Sequence, residues 1–258
     1  MGQPTRKKGV YKVYMFRHSV SCSNLARKID NPLDANLYTD PELTREGRAF
    51  ADSLRPYALK YIRKPFVTGV SYLLRTHQTA QLLLNPKKMY IIPYISELGK
   101  WFQENNPISQ DLQKQLLEER LNNKSLVPLR DYTYYKSDMK PYDEKVQVHE
   151  FLKWLGQNIG KITEGGKKSL ALVSHWGFIQ DVIKYHIGFV PHKIHNCDLL
   201  ELDITVKHGT AQIQSLKRGL YAPESMFAWN NEKQFKDHGC RLSVGTFRKT
   251  LKKTKKVD

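Results

Sequence analysis

Apolar residues along the chain gather into short runs separated by longer amphipathic stretches. Val10 to Phe16 (VYKVYMF) is β-branched and aromatic and predicts a strand. A polar stretch follows, with the turn signals Asn31-Pro32 and Asp40-Pro41. A helix is expected from Leu43-Thr44, with Thr44 as its N-cap and apolar positions at Phe50, Leu54, Tyr57, Ala58 and Tyr61. Phe66 to Leu74 (FVTGVSYLL) predicts a second strand, with Arg75 just beyond it and Thr76 capping a short helix through Leu84. Tyr90 to Ile92 makes a third strand, stopped by Pro93.

Residues 97–142 are irregular apart from a helix expected at Gln110 to Leu121, and they read as an inserted lid or cap. Tyr132, Tyr134 and Tyr135 within it read as core or lid packing, with substrate stacking as the alternative. Helical periodicity returns over Lys145 to Ile162 and breaks at Gly165-Gly166. Ser169 to Val173 (SLALV) is a continuous apolar run, as in a strand buried on both faces. A helix over Gly177 to Ile187 follows Ser174-His175. Leu199 to Val206 and Ala211 to Leu216 predict a closing hairpin around His208-Gly209. No element is assigned after Arg218.

This alternation predicts an α/β three-layer sandwich, a mainly parallel sheet with helices on both faces, plus the inserted region. The 258 residues suit a single domain ending in a basic tail over about 241–258. In such sheets ligands bind beyond the carboxyl ends of the strands. Arg17-His18, Arg75 and His175 all stand at such ends.

Composition narrows the function. Lys plus Arg total 42 against 25 Asp plus Glu, a net charge of +17, so anions are the expected partners. Part of the excess sits at Arg6, Lys7, Lys8 and Lys12, and at Arg248, Lys249, Lys252, Lys253, Lys255 and Lys256. Solvated tails and a polyanion tether or nuclear address are both open readings of these ends. No window holds 18 consecutive apolar residues, so no membrane-spanning helix is expected. The start lacks the apolar stretch of a signal peptide, and Arg6 stands where a myristoylation signal has Ser or Thr. Cys22, Cys197 and Cys240 are odd in number and irregular in spacing. No disulfide framework is therefore expected, and a reducing, cytoplasmic compartment is the default, with the nucleus as the alternative. His186, His192, His195 and Cys197 lack the spacing of a zinc finger and read as surface or lid residues.

The residues at the strand ends suit phosphoryl chemistry. Arginine offers a planar, permanently charged fork that matches phosphate oxygens. Two arginines and a protonated histidine can neutralise a phosphoryl group. A second, neutral histidine aimed in line can take the group as a nucleophile. The leaving alkoxide then needs a proton, and Glu97, just after the third strand, is placed to give it.

These residues carry a family resemblance. Phe16-Arg17-His18-Ser19 with Ser21 and Asn24 resembles the R-H-G-x-[ST]-x-x-N signature of the histidine phosphatase superfamily, phosphoglycerate mutase-like branch. Leu43-Thr44-Arg45-Glu46-Gly47 resembles its L-T-x-x-G segment, Ser71 to Ala80 its S-x-L-x-R-x-x-Q-T-A block, and Val173 to Gly177 its V-[ST]-H-x-G block. Glu97-Leu98 falls where that branch places its acid. The resemblance implies that His18 is the phosphorylated nucleophile, that Arg17, Arg75 and His175 bind the phosphoryl group, and that Glu97 is the proton donor. Asn24 and Ser21 would contact substrate, and no metal or other cofactor would be needed. Two departures stand out: Ser19 replaces the glycine after the histidine, and Val20 replaces the acidic residue of mutases. The paired downstream arginines of mutases are not found either. Trp176 after His175 departs from the His-Asp pair of the acid phosphatase branch. The expected function is hydrolysis of an anionic phosphomonoester, on a small molecule or a phosphoprotein. A mutase-type phosphotransferase is one alternative. A catalytically weak phosphate- or nucleic-acid-binding protein on the same fold is the other.

Overall fold

The computed structural model describes residues 9–29, 38–97, 103–121, 144–190, 193–223, 226 and 240. Six strands form one sheet: β1 (Tyr11–Arg17), β2 (Phe66–Val70), β3 (Met89–Ile91), β4 (Ser169–Ser174), β5 (Leu199–Lys207) and β6 (Thr210–Gly219). Their order is β3-β2-β4-β1-β5-β6. The first four are mutually parallel, while β5 and β6 run antiparallel as the expected hairpin. The helices are α1 (Cys22–Ile29), α2 (Arg45–Tyr61), α3 (Leu74–Leu84), α4 (Gln110–Leu121), α5 (Glu144–Ile162) and α6 (Trp176–Ile187).

The strand period of two sorts β1 between two cores. Val13 and Met15 face one layer with Phe151, Leu152 and Leu155 of α5 and Phe178, Ile179 and Val182 of α6. Tyr14 and Phe16 face the other, with Phe50, Leu54 and Ala58 of α2 and Ala80 and Leu83 of α3. Each fully buried large apolar side chain stabilises the fold by roughly 1.5–3 kcal/mol. This is the expected sandwich: β4, the continuous apolar run, is buried at all six positions in the middle of the sheet.

Several boundaries differ from the sequence reading. β2 stops at Val70 rather than Leu74. The Ser71 hydroxyl accepts from Leu73 N at 3.1 Å, turning the chain so that Leu73 and Leu74 enter the core from the start of α3 instead of from a strand. Thr76 is therefore inside the helix, its hydroxyl donating to Leu73 O at 2.8 Å, and it caps nothing. The polar stretch after His18 contains a helix, α1, which its serines concealed. Thr44 does cap α2, accepting from Gly47 N at 2.8 Å.

Cys22 and Cys240 form a disulfide across 218 residues. This overturns the expectation of unpaired cysteines: the two meet only through the fold, so their spacing carries no signal. Cys197, read as a surface or lid residue, is buried, and burial pushes its thiol up to about 12. His186 is exposed as expected, and His192 lies outside the described residues. So do most of the tyrosine-rich part of the inserted region, the N-terminal residues 1–8 and the basic tail.

Candidate active site

The site is assembled by the register of three parallel strands. Arg17 at the end of β1 lies beside Ser174 at the end of β4, and Val70 at the end of β2 lies beside Val173. His18 N donates to Ser174 O at 2.9 Å, and Ser71 N to Val173 O at 3.3 Å. The loops leaving β1, β2 and β4 therefore open side by side at the carboxyl edge of the sheet. His175 occupies the N-cap position of α6, and Arg75 sits in the first turn of α3. Two helix N-termini thus stand at this edge, and their dipoles favour anions.

Arg17, His18, Arg75, Glu97 and His175 converge there. The two imidazole rings are 5.1 Å apart, centre to centre, and both are buried. His18 Nδ1 lies 2.6 Å from Ser19 O. A carbonyl can only accept, so in the neutral ring Nδ1 carries the hydrogen and Nε2 the lone pair. His175 Nε2 lies 2.7 Å from the Ser71 hydroxyl. That hydroxyl can accept or donate, so either His175 tautomer is supported. His175 Nδ1 is buried without a hydrogen-bond partner among the described residues. Burial first, then the guanidinium charge of Arg75, holds both imidazoles well below the usual histidine range.

Glu97 is partly buried, with 23% of its side chain exposed. Its Oε1 accepts from Gly177 N at 3.1 Å, and its Oε2 lies 3.7 Å from His175 Nδ1. Burial raises its carboxyl pKa against the pull of Arg75 and Arg17. Glu104, the neighbouring acid in sequence, reaches Arg75 through its backbone carbonyl, 2.9 Å from Nη1. Arg75 Nη2 donates to Asn105 Oδ1 at 3.0 Å. Arg17 Nη1 donates to Ile194 O at 2.7 Å, while the buried Arg17 Nε has no partner among the described residues. Burial pulls Arg17 down to about 10.

Ser19 fits where the motif has glycine. Its φ is not in the left-handed region, and its hydroxyl donates to Gly47 O at 2.7 Å. Gly47 explains itself in the same contact: an added Cβ would stand 2.2 Å from Val20 O, so only glycine lets α2 lie against the loop that follows β1. Ser21 and Asn24 bond each other, Ser21 N to Asn24 Oδ1 at 3.2 Å and Asn24 N to Ser21 Oγ at 3.3 Å, as a reciprocal cap on α1.

Sequence reasoning missed three supports. Buried Asn196 donates to His18 O at 2.9 Å and to Asn24 Oδ1 at 3.4 Å, and nothing in its local sequence marked it. Thr79 Oγ1 accepts from Ser19 N at 3.0 Å, tying the S-x-L-x-R-x-x-Q-T-A block to the loop that carries His18. Asp40, read only as a turn residue, is buried and accepts from Leu74 N at 2.8 Å, Ile108 N at 3.2 Å and Gln113 Nε2 at 2.6 Å. It fastens Ile108 and Gln113 to the start of α3, and burial raises its carboxyl to about 6.

No curated protein sequence matches the chain. Similar solved structures include a phosphoserine phosphatase of Entamoeba histolytica in complex with 3-phosphoglyceric acid, at 19% identity over 82% of this chain and 98% of that one, TM-score 0.47. A mycobacterial glucosyl-3-phosphoglycerate phosphatase is 15% identical over 80% of this chain and 98% of that one, TM-score 0.49. A phosphoglycerate mutase of Bacillus anthracis is 15% identical over 81% of this chain and 93% of that one, TM-score 0.49. The model of the histidine phosphatase superfamily (branch 1) matches residues 13–218, and the chain belongs to that superfamily.

Proposed function

We propose that the protein hydrolyses phosphate monoesters through a phosphohistidine on His18. The observation that supports this most is the neutral His18 ring, its Nδ1–H held by Ser19 O, with His175, Arg17, Arg75 and Glu97 around it. His18 Nε2 attacks phosphorus as the ester P–O bond breaks. Arg17 Nε, Arg75 and the Nδ1–H tautomer of His175 bind the phosphoryl oxygens, Ser71 donating to His175 Nε2 in that state. Asn24 contacts the substrate, and Ser21, fully buried, holds Asn24 in place. Glu97 gives its proton to the leaving oxygen. Water then attacks phosphorus, Glu97 takes a proton back, and the N–P bond breaks to release inorganic phosphate and neutral His18.

Val20 favours hydrolysis over phosphate relocation. It is buried, and its carbonyl accepts from Thr44 N at 3.0 Å, so it brings no charge to the pocket where mutases have an acid. The substrate class is an anionic phosphorylated metabolite or phosphoprotein, in keeping with the charge of +17. A screen of phosphate release over sugar phosphates, nucleotides, inositol phosphates and phosphopeptides tests the reading, with His18→Ala as control. Free phosphate from at least one class, abolished in the variant, is expected. Phosphate moved between carbons without release would establish a mutase, and no turnover of any class would leave a binding protein.

A further inference from the structure

The same pocket presents a donor set that suits a metal ion, although the reaction proposed above routes no step through one. One ligand atom from each of His18, Glu97 and His175 lies within 4.8 Å of the others. The tautomers are compatible. His18 Nδ1–H is spent on Ser19 O at 2.6 Å, so the Nε2 lone pair is available. When His175 donates from Nε2 to the Ser71 hydroxyl at 2.7 Å, its Nδ1 lone pair is available too, and that buried atom has no other partner among the described residues. Glu97 is anchored by Oε1 on Gly177 N at 3.1 Å, leaving Oε2 towards His175. In all three residues the atom that would not bind metal is held by a backbone or hydroxyl group. That is the outer-shell pattern that orients histidine and carboxylate ligands.

Charge decides which ion. Arg17 and Arg75 flank the pocket and repel cations, so a hard ion held by charge alone, such as Mg²⁺, is disfavoured. An ion that bonds strongly to imidazole nitrogen offsets that repulsion. Tetrahedral Zn²⁺, with bonds of about 2.0–2.1 Å, brings its ligand atoms to roughly 3.4 Å from one another. The three atoms, within 4.8 Å of one another, must draw together by up to about 1.4 Å, and Glu97, partly exposed, has more room to move than the two buried imidazoles.

We propose that His18 Nε2, His175 Nδ1 and one Glu97 oxygen bind a zinc-class divalent ion, Zn²⁺ or Co²⁺, which reversibly blocks the phosphoryl site by occupying the nucleophile's lone pair. The blocking half rests on the function proposed above, and the binding half does not.

The test uses the full chain, stripped with EDTA and titrated with Co²⁺ while the visible absorption of four-coordinate Co²⁺ is recorded. One Co²⁺ per chain is expected, displaced by Zn²⁺, indifferent to Mg²⁺ and competed by inorganic phosphate. Affinity falls by at least about tenfold in His18→Ala and in His175→Ala, and is retained in His186→Ala, which changes an exposed histidine. His18→Gln, with circular dichroism alongside, guards against a variant that merely unfolds. Zn²⁺ should also stop phosphate release, and EDTA should restore it. Equal Co²⁺ affinity in parent and both histidine variants overturns the site. Binding at the site with undiminished turnover overturns the block. A Co²⁺ spectrum that depends on both histidines in a protein with no phosphatase activity overturns the proposed function and leaves the metal site standing.

Discussion

A methyl group added at Gly177 would stand 2.4 Å from Glu97 Oε1. Carbon–oxygen contacts settle at about 3.3–3.6 Å, so Gly177→Ala displaces that carboxylate oxygen by roughly 1 Å. The carboxylate ends a flexible side chain, so it yields and the backbone stays. Its bond to Gly177 N, 3.1 Å in the parent, is broken or bent. Position 177 lies in the first turn of α6, where exchanging glycine for alanine favours the helix by up to about 1 kcal/mol. The substitution thus separates stability from chemistry. A misplacement of about 1 Å costs on the order of 100-fold in rate, and a general acid is worth about 100- to 10,000-fold where the leaving group needs a proton. The assay compares kcat/KM, which reports phosphoryl transfer to the protein and not the later hydrolysis, on an alkyl phosphate, whose alkoxide must be protonated, and on p-nitrophenyl phosphate, whose phenolate leaves unaided. Gly177→Ala should lose on the order of 100-fold on the alkyl ester and far less on the aryl ester, with the urea midpoint unchanged or raised. Equal losses on both esters, or an unchanged alkyl rate, would refute Glu97 as the proton donor.

Gly47→Ala should act oppositely, on the fold and the nucleophile loop together. Its Cβ would meet the Val20 carbonyl, a backbone atom that cannot swing away, at 2.2 Å, and a loss of about 1–3 kcal/mol in denaturant unfolding is expected with kcat reduced on alkyl and aryl esters alike. Cys22→Ser removes a link spanning 218 residues; chain entropy sets an upper bound of about 5 kcal/mol, and a lower urea midpoint, matched by reductant on the parent, checks it. Activity should have its acid limb below pH 6.5, because burial, Arg75 and Arg17 keep His18 neutral and nucleophilic there, and it should decline on the alkaline side as Glu97, raised from 4.5, gives up its proton. His77, lowered by burial from 6.5 to about 4, contributes stability that is complete above pH 6.5 and lost as pH falls through 4. His77→Gln, which keeps a donor to Ser71 O, should flatten the acid loss of unfolding free energy by on the order of 3 kcal/mol.

The sheet and its carboxyl-edge residues were legible because both depend on local pattern. Alternation and apolar runs mark β1, β4 and the β5–β6 hairpin within one or two residues, apart from the end of β6, and Thr44 declares the start of α2 through its own hydroxyl. Arg17, His18, Arg75 and His175 were readable because each directly follows or opens an element that the pattern marks. What escaped depends on distance. The Cys22–Cys240 link, the hold of Asn196 on His18 O and the three bonds of Asp40 join segments whose proximity no local period encodes. The turn at Ser71 was misread as strand because Tyr72, Leu73 and Leu74 are apolar for the sake of the core, not of a sheet.

Transfer of the phosphoryl group to one imidazole nitrogen is the central step of the proposed reaction, and trapping that species tests it most directly. The protein is mixed with a radiolabelled phosphomonoester, quenched within the first turnover and digested, and the labelled peptide is identified. The expected result is an acid-labile, base-stable label on the peptide carrying His18, absent from His18→Ala. An acid-stable label on another residue, or undiminished turnover in His18→Ala, would contradict it.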